Sequence, residues 1–188
     1  MLLVCAATLL PQTPPAQPVA QGQPAGLETD WDISAVLLEI GAHAGRLSPA
    51  LDRIDAKSWI AKGASDTYIA QSQSSQEQAR ALADGARSLA RNPERLSAAI
   101  ELFFRIQGLE TMLGSLEAGL RQYQSPALAQ ELAGLAAENG ANRDRLQTYI
   151  VNLAAQRERE YDVMDREAQR CRGMVFSAPP PSASGKKK

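Results

Sequence analysis

Residues 92–123 read NPERLSAAIELFFRIQGLETMLGSLEAGLRQY, and this stretch decides the fold class of the chain. Its large apolar residues recur at steps of three and four, the spacing that places side chains on one face of an α-helix. Asn92 and Pro93 supply a capping residue followed by a proline in the first turn. The pattern predicts a long helix that faces a core through Leu96, Ile100, Phe103, Ile106, Leu109, Leu113, Leu116 and Leu120.

A second long helix is predicted directly after the first. Ser125 and Pro126 repeat the start signal, and no strong stop follows before Gly173. At 1.5 Å per residue this helix would reach about 70 Å, unless Gly134 or Gly140 bends or splits it. Because only a few residues connect the two helices, they must run antiparallel.

The earlier part of the chain also shows helical spacing. Asp30 can cap a first helix, Ser48 and Pro49 predict a restart or a kink, and residues 62–64 predict a break. The polar residues 71–78 predict either an exposed stretch or weak packing. We therefore expect an all-α fold: an elongated antiparallel helical bundle with a long C-terminal helical hairpin and disordered N- and C-terminal tails.

Three glycines interrupt the quoted helix, at Gly108, Gly114 and Gly119. Each costs up to about 1 kcal/mol relative to alanine in a helix interior. Their recurrence predicts that a neighbouring helix approaches closely there. Exposed glycines without a packing role are the alternative.

The two ends of the chain differ in composition from the helical part. Residues 1–10 form an apolar segment with the length of a signal-peptide core, too short to span a bilayer as a helix. Residues 11–27 form a Pro/Gln/Ala-rich linker, 30–173 the helical domain, and 174–188 a Pro/Ser/Lys tail that we expect to be disordered. This order predicts an exported protein, periplasmic or secreted. A buried apolar strand or helical turn at the N-terminus is the alternative.

Composition limits the chemistry available to the chain. With 20 basic and 21 acidic residues the net charge is −1, which argues against nucleic-acid binding. His43 is the only histidine of the sequence, and no nucleotide, hydrolase or zinc motif is present. We therefore expect no enzyme activity and no cofactor. A metal role for Glu39 and His43, one turn apart, is the alternative to an ordinary core or surface histidine.

A polar interruption divides the apolar seam of the predicted last helix, at Glu138, Asn139, Asn142 and Arg143. Such a layer lowers stability but can fix helix register or oligomeric state. Two other interpretations remain open. A rotation at Gly140 would expose the four residues to solvent, or they would converge on a small ligand as a candidate polar patch.

Near its end the last helix carries alternating charges. The few apolar side chains of this part form a candidate association helix at Tyr161, Val163, Met164, Ala168 and Cys171. The pattern is typical of a solvated helix that projects past a bundle, or of one that docks a protein partner or a second copy. Cys171 is either a free thiol or half of an intermolecular disulfide. A weak contact with an anionic surface is expected only from Lys186, Lys187 and Lys188.

Taken together, these patterns predict an exported, non-catalytic interaction or structural protein that acts through its long last helix, with no transmembrane span. One alternative is a small-ligand or metal-binding bundle that uses the polar patch of residues 138–143 or His43. A cytosolic coiled-coil scaffold is another. The general layout resembles that of exported helical proteins of bacteria, and no motif attaches the chain to a characterised family.

Overall fold

A computed structural model describes residues 30–177, with side chains for residues 33–174. Over this range every regular element is a helix, which confirms the all-α prediction. The predicted apolar segment, the linker and the end of the tail lie outside the described residues. The six helices are α1 (Asp30–Asp52), α2 (Ala56–Ile60), α3 (Thr67–Arg91), α4 (Leu96–Tyr123), α5 (Pro126–Ala137) and α6 (Gly140–Ser177).

The helices pack as an elongated antiparallel bundle that ends in a helical hairpin, as predicted. Helix α1 packs mainly along α3, and α4 lies between α3 and α5. Helix α6 contacts both α1 and α4. No helix in residues 30–177 combines the length and the hydropathy that crossing a membrane requires.

The predicted seam of α4 lies in the core. Ile106, Leu109, Leu113, Leu116 and Leu120 are buried, and they meet aliphatic side chains of α1, α3 and α5. Complete burial of such a side chain stabilises the fold by about 1.5–3 kcal/mol. The first turns of α4 are less enclosed, since the seam residues there, Leu96, Ile100 and Phe103, are half-buried or exposed.

Within the polar middle of α3 only Gln73 and Glu77 are exposed, so the prediction of an exposed stretch was wrong for the rest of it. Ser72 and Ser75 are buried, and the Ser75 hydroxyl donates to the backbone oxygen of Gln71 at 2.8 Å. The side chain of Gln71 accepts from the Ser115 hydroxyl at 3.0 Å. Small side chains with internal hydrogen bonds satisfy the requirement that buried polar groups be paired.

Two helix boundaries differ from those predicted at prolines. Pro49 lies inside α1, which continues to Asp52 without a restart. Because proline has no backbone N–H, one helical hydrogen bond is missing at Pro49, close to the end of the helix. Ala50 and Leu51 in the last turn are buried and hold that turn in place. At the other proline, Pro93 lies in a turn before α4, which begins three residues later at Leu96.

Local signals gave the boundaries at Gly63 and Ser125 correctly. Gly63 has φ +90° at the predicted break between α2 and α3, a conformation that favours glycine. Ser125 caps α5, because its hydroxyl accepts from the backbone N–H of Leu128 at 3.3 Å and Pro126 occupies the first turn. The last helix does split near Gly140, but α6 then runs through Gly173 to Ser177, where the sequence predicted an end at Gly173.

The indole ring of Trp59 anchors one end of the bundle. It is fully buried, stacks on Tyr123 at a centroid distance of 6.1 Å and meets the edge of Tyr68 at 5.3 Å. Its Nε1–H donates to Gln124 Oε1 at 3.0 Å. Gly119 faces the same ring, so the missing Cβ makes room there for an aromatic side chain of α2 and not, as predicted, for the backbone of a neighbouring helix.

The other two α4 glycines do not share this role. Gly114 faces open space, and a Cβ at Gly108 would make only ordinary contact with the side chain of Gln78 at 3.6 Å. The prediction of a close helix approach was therefore wrong for Gly114 and Gly108.

Candidate functional site

The junction between α5 and α6 is the first candidate site. Helix α5 ends at Ala137 and α6 begins at Gly140, and between them Asn139 is only 3% exposed. The side-chain oxygen Oδ1 of Asn139 is buried without a hydrogen-bond partner. A buried, unpaired polar atom costs about 1–3 kcal/mol, so this position is held at the expense of stability.

His43 of α1 reaches the same junction. Its side chain is 3% exposed, and Nε2 lies 2.6 Å from the backbone oxygen of Leu135. Because that oxygen can only accept, Nε2 carries the proton and Nδ1 is left as an acceptor, which is buried without a partner. The histidine is thus a second donor to this carbonyl in the last turn of α5, which also accepts from the backbone N–H of Glu138 at 3.2 Å.

Glu138 of the predicted patch is turned outward. Its carboxylate accepts from Arg46 of α1 at 3.3 Å, and Arg46 also pairs with Glu39 at 3.1 Å. The hydrogen bond that Arg46 donates to Glu39, and to a lesser degree the one that it donates to Glu138, raises the pKa of Arg46. Glu39 is therefore engaged by an arginine, whereas His43 on the same face of α1 bonds to a backbone oxygen.

Arg143 and Asn142 complete the predicted patch. The guanidinium of Arg143 pairs with Asp144 at 3.0 Å and with Glu110 of α4 at 3.0 Å. These partners raise its pKa, Asp144 more than Glu110. Asn142 is half-buried. The two charged members of the patch are thus occupied by ion pairs, and the unpaired atoms at the junction belong to Asn139 and His43.

The sequence offered His43 and the polar patch as two different sites for one ligand-binding alternative, and the structure brings them to one junction. The 92 residues between His43 and Leu135 explain why no local pattern could show this. Among residues with described side chains, no three histidine, cysteine, aspartate or glutamate side chains lie together so that they could hold a metal ion.

The end of α6 is the second candidate site. Leu153 is the last buried residue of α6 among the side chains described up to residue 174, and every side chain from 161 to 174 is exposed. Tyr161, Val163 and Met164 are 66%, 53% and 63% exposed. At 1.5 Å per residue these 14 positions extend about 20 Å beyond the bundle. We call residues 161–174 the α6 tail.

The predicted association residues all lie on the α6 tail. Ala168 and Cys171 are exposed, and the Cys171 thiol is free. The ionic side chains around them pair within the helix, for example Glu167 with Arg170 at 2.8 Å. Such pairs stabilise an exposed helix by about 0.2–0.5 kcal/mol each.

The helix segment that leads into the tail is attached to the bundle by Arg157. Its guanidinium donates to the backbone oxygen of Glu94 at 3.3 Å and pairs with Glu160 at 2.8 Å. Arg157 first, and Gln156 second, lower the pKa of Glu160. The helix is thus held to the bundle by a hydrogen bond from the Arg157 guanidinium to a backbone oxygen, immediately before its side chains become solvated.

One exposed aromatic residue was missed by the sequence analysis. Phe104 on α4 is 63% exposed, and its ring lies 6.0 Å from that of Phe103, which packs against the core. The signal was present in the sequence, because adjacent helical positions point about 100° apart and both rings cannot face one seam.

No protein-family model, no curated protein and no solved structure matches this chain.

Proposed function

We propose that this protein is a non-catalytic interaction or structural protein that binds through the α6 tail. The observation that carries the proposal is an apolar stripe on a helix exposed on all sides. Met164 and Tyr161 are each more than 60% exposed, although α6 continues without interruption from the core at Leu153. Amphipathic helices of this kind bind by laying their apolar face on a partner.

Helix energetics support the same proposal. Isolated helices shorter than about 12–15 residues are marginal in water, and most helix stability in proteins comes from packing of one face. The α6 tail is of that length, and every side chain described in it is exposed. Burial of Tyr161 and Met164 against a partner would supply the missing stabilisation.

Site-specific photo-crosslinking in the producing cells tests this function. A photoreactive residue at position 164 should give discrete covalent adducts. The same residue at position 151, exposed on the bundle part of α6 (Val151 is 61% exposed), should give none. Position-independent labelling, or no adduct from position 164, would contradict the proposal.

We also propose that the protein is exported. Support comes from the sequence alone, in the apolar residues 2–10 followed by the Pro/Gln/Ala-rich stretch. Sequencing the N-terminus of the protein from its producing cells should find that residues 1–10 have been removed. An intact start in a cytosolic fraction would instead favour the scaffold alternative.

The α5–α6 junction favours a second candidate function, the binding of a small polar ligand. Its support is the pair of buried, unpaired acceptors, Nδ1 of His43 and Oδ1 of Asn139. A ligand that donates a hydrogen bond to either atom would remove the penalty of leaving that atom unpaired. Native mass spectrometry of the purified protein should then show a bound small molecule that is lost in Asn139→Leu. Bare protein in the wild type would remove this candidate.

A further inference from the structure

The apolar stripe of the α6 tail continues the core seam of the same helix. Tyr161, Met164, Ala168 and Cys171 follow one another at steps of three, four and three, the spacing of a coiled-coil seam. At about 100° per residue these four positions span an arc of about 80°, and Leu153, which is buried in the bundle, lies on the edge of the same arc. We call these four residues the tail stripe.

We propose that the tail stripe pairs antiparallel with the tail stripe of a second copy of this chain. The inference rests on the proposed function and names its partner. In the register centred on position 166, Tyr161 faces Cys171 of the second copy, and Met164 faces Ala168 of the second copy. Each layer then combines one large and one small side chain, which fills the interface evenly.

A parallel pair would pack poorly. Each residue would then face the same residue of the second copy. The Tyr161 and Met164 layers would each hold two large side chains and be overcrowded, whereas the Ala168 and Cys171 layers would each hold two small side chains and be underfilled. Overpacked and underpacked layers both cost stability. The sizes of the four side chains therefore favour the antiparallel orientation.

The position of the bundle favours it independently. Leu153 shows that the bundle lies on the side of α6 that also carries the tail stripe. Packed helices lie about 8–10 Å apart, so a parallel second α6 would run into the space that α1 and α4 occupy beside the first. In the antiparallel orientation the two bundles lie at opposite ends of the paired tails.

The charges of the tail fit a second copy better than a strongly charged partner. Five arginines and five carboxylates alternate between positions 157 and 172, so the segment has no net charge. In the antiparallel register Glu158 of each chain lies beside Arg172 of the other, which gives one attractive contact at each end of the pair. At the centre Asp165 lies beside the second copy's Asp165, and Glu167 beside the second copy's Glu167, which gives two repulsive contacts. These opposing contacts are exposed and small, so association should depend weakly on salt.

Sedimentation of the full chain over a hundredfold range of concentration tests whether the pair forms. The wild type should pass from monomer to dimer. Met164→Lys, within the tail stripe, should remain a monomer. Val151→Lys is the matched control: Val151 is 61% exposed on the bundle part of α6, lies outside the α6 tail and points about 120° away from the middle of the stripe, so this variant should dimerise like the wild type. A monomeric wild type, or equal behaviour of the two variants, would overturn the proposal.

Cysteine cross-linking then tests the orientation, in a Cys5→Ser background and at concentrations where each protein sediments as a dimer. Adding Tyr161→Cys should allow diamide to form an interchain disulfide between positions 161 and 171 within the dimer. Cys171 alone should cross-link slowly, since ten residues correspond to about 15 Å along the helix. Rapid cross-linking through Cys171 alone would show a parallel pair.

The outcome separates this proposal from the proposed function. If the purified chain remains a monomer while position 164 cross-links to a different protein in cells, the self-pairing is wrong and the interaction function stands. If position 164 gives no adduct in cells and the purified chain is a monomer, both fail.

Discussion

Gly119 lies directly against the indole ring of Trp59: a Cβ built on Gly119 would be 2.5 Å from Cζ3 of that ring. The same Cβ would be 3.1 Å from Cε1 of Tyr68. Because Trp59 is fully buried, the ring has no free space into which it can move. The absence of a side chain at position 119 is therefore a packing requirement of this end of the bundle.

Gly119→Ala should lower the free energy of unfolding by about 1–3 kcal/mol, the usual effect of overpacking a core. The measurement is urea denaturation followed by circular dichroism. Gly114→Ala is the control, since Gly114 lies in the same helix and faces open space. That variant should be stabilised by up to about 1 kcal/mol through helix propensity. Equal effects at the two positions would contradict the role assigned to Trp59.

Asn139→Leu should leave the free energy of unfolding unchanged or raise it by about 1 kcal/mol in the absence of a ligand. The reason is that the substitution removes a buried acceptor that has no partner. Thermal and urea unfolding measure the effect. The control is Asn142→Leu, at a half-buried position nearby, which should change the free energy of unfolding by less than about 0.5 kcal/mol. A large loss of stability in Asn139→Leu would mean that the Asn139 side chain has a partner in solution.

Removal of residues 161–188 should not destabilise the bundle. No described side chain beyond position 160 is buried, so the unfolding free energy of the shortened chain should lie within about 0.5 kcal/mol of the full chain. A second truncation, after Arg145, removes the buried side chains Leu146, Tyr149 and Leu153 and should unfold the protein. Measurements should be made at low concentration, where association through the tail does not add to stability.

Arg157→Gln should raise the pKa of Glu160 toward its ordinary value, because the Arg157 guanidinium is the main cause of the lowered pKa. The lowered pKa means that the pair stabilises the folded helix above the ordinary glutamate pKa. That contribution is lost as the pH falls through the lowered pKa. Carboxyl NMR titration measures the shift. Arg166→Gln, more than one turn away, should leave the pKa of Glu160 unchanged.

Much of the fold followed from local signals in the sequence. The seam of α4 from Ile106 to Leu120 and the cap at Ser125 depend on spacing and on residues that are neighbours in the chain, and both were confirmed. The boundary at Pro93 was placed wrongly because it depends on a distant residue. Its backbone oxygen accepts from the Tyr149 hydroxyl at 2.9 Å, which ties the turn before α4 to α6.

The candidate sites were predictable to different degrees. The predicted association residues lie on one continuous helix, so periodicity alone indicated that Tyr161 and Met164 lie on one face of it. The junction joins His43 to the carbonyl of Leu135 across 92 residues, and only tertiary packing brings those atoms together. The stripe could therefore be identified from periodicity, whereas the pairing of His43 with the junction could not.

The uninterrupted helix between Leu153 and Tyr161 gives this short connecting segment a geometric role. Inserting a single alanine there would turn the whole tail by about 100° and advance it by about 1.5 Å, without altering any residue of the stripe or of the core. The number of residues between the two, more than their chemical identity, therefore fixes the direction in which this protein presents its apolar surface.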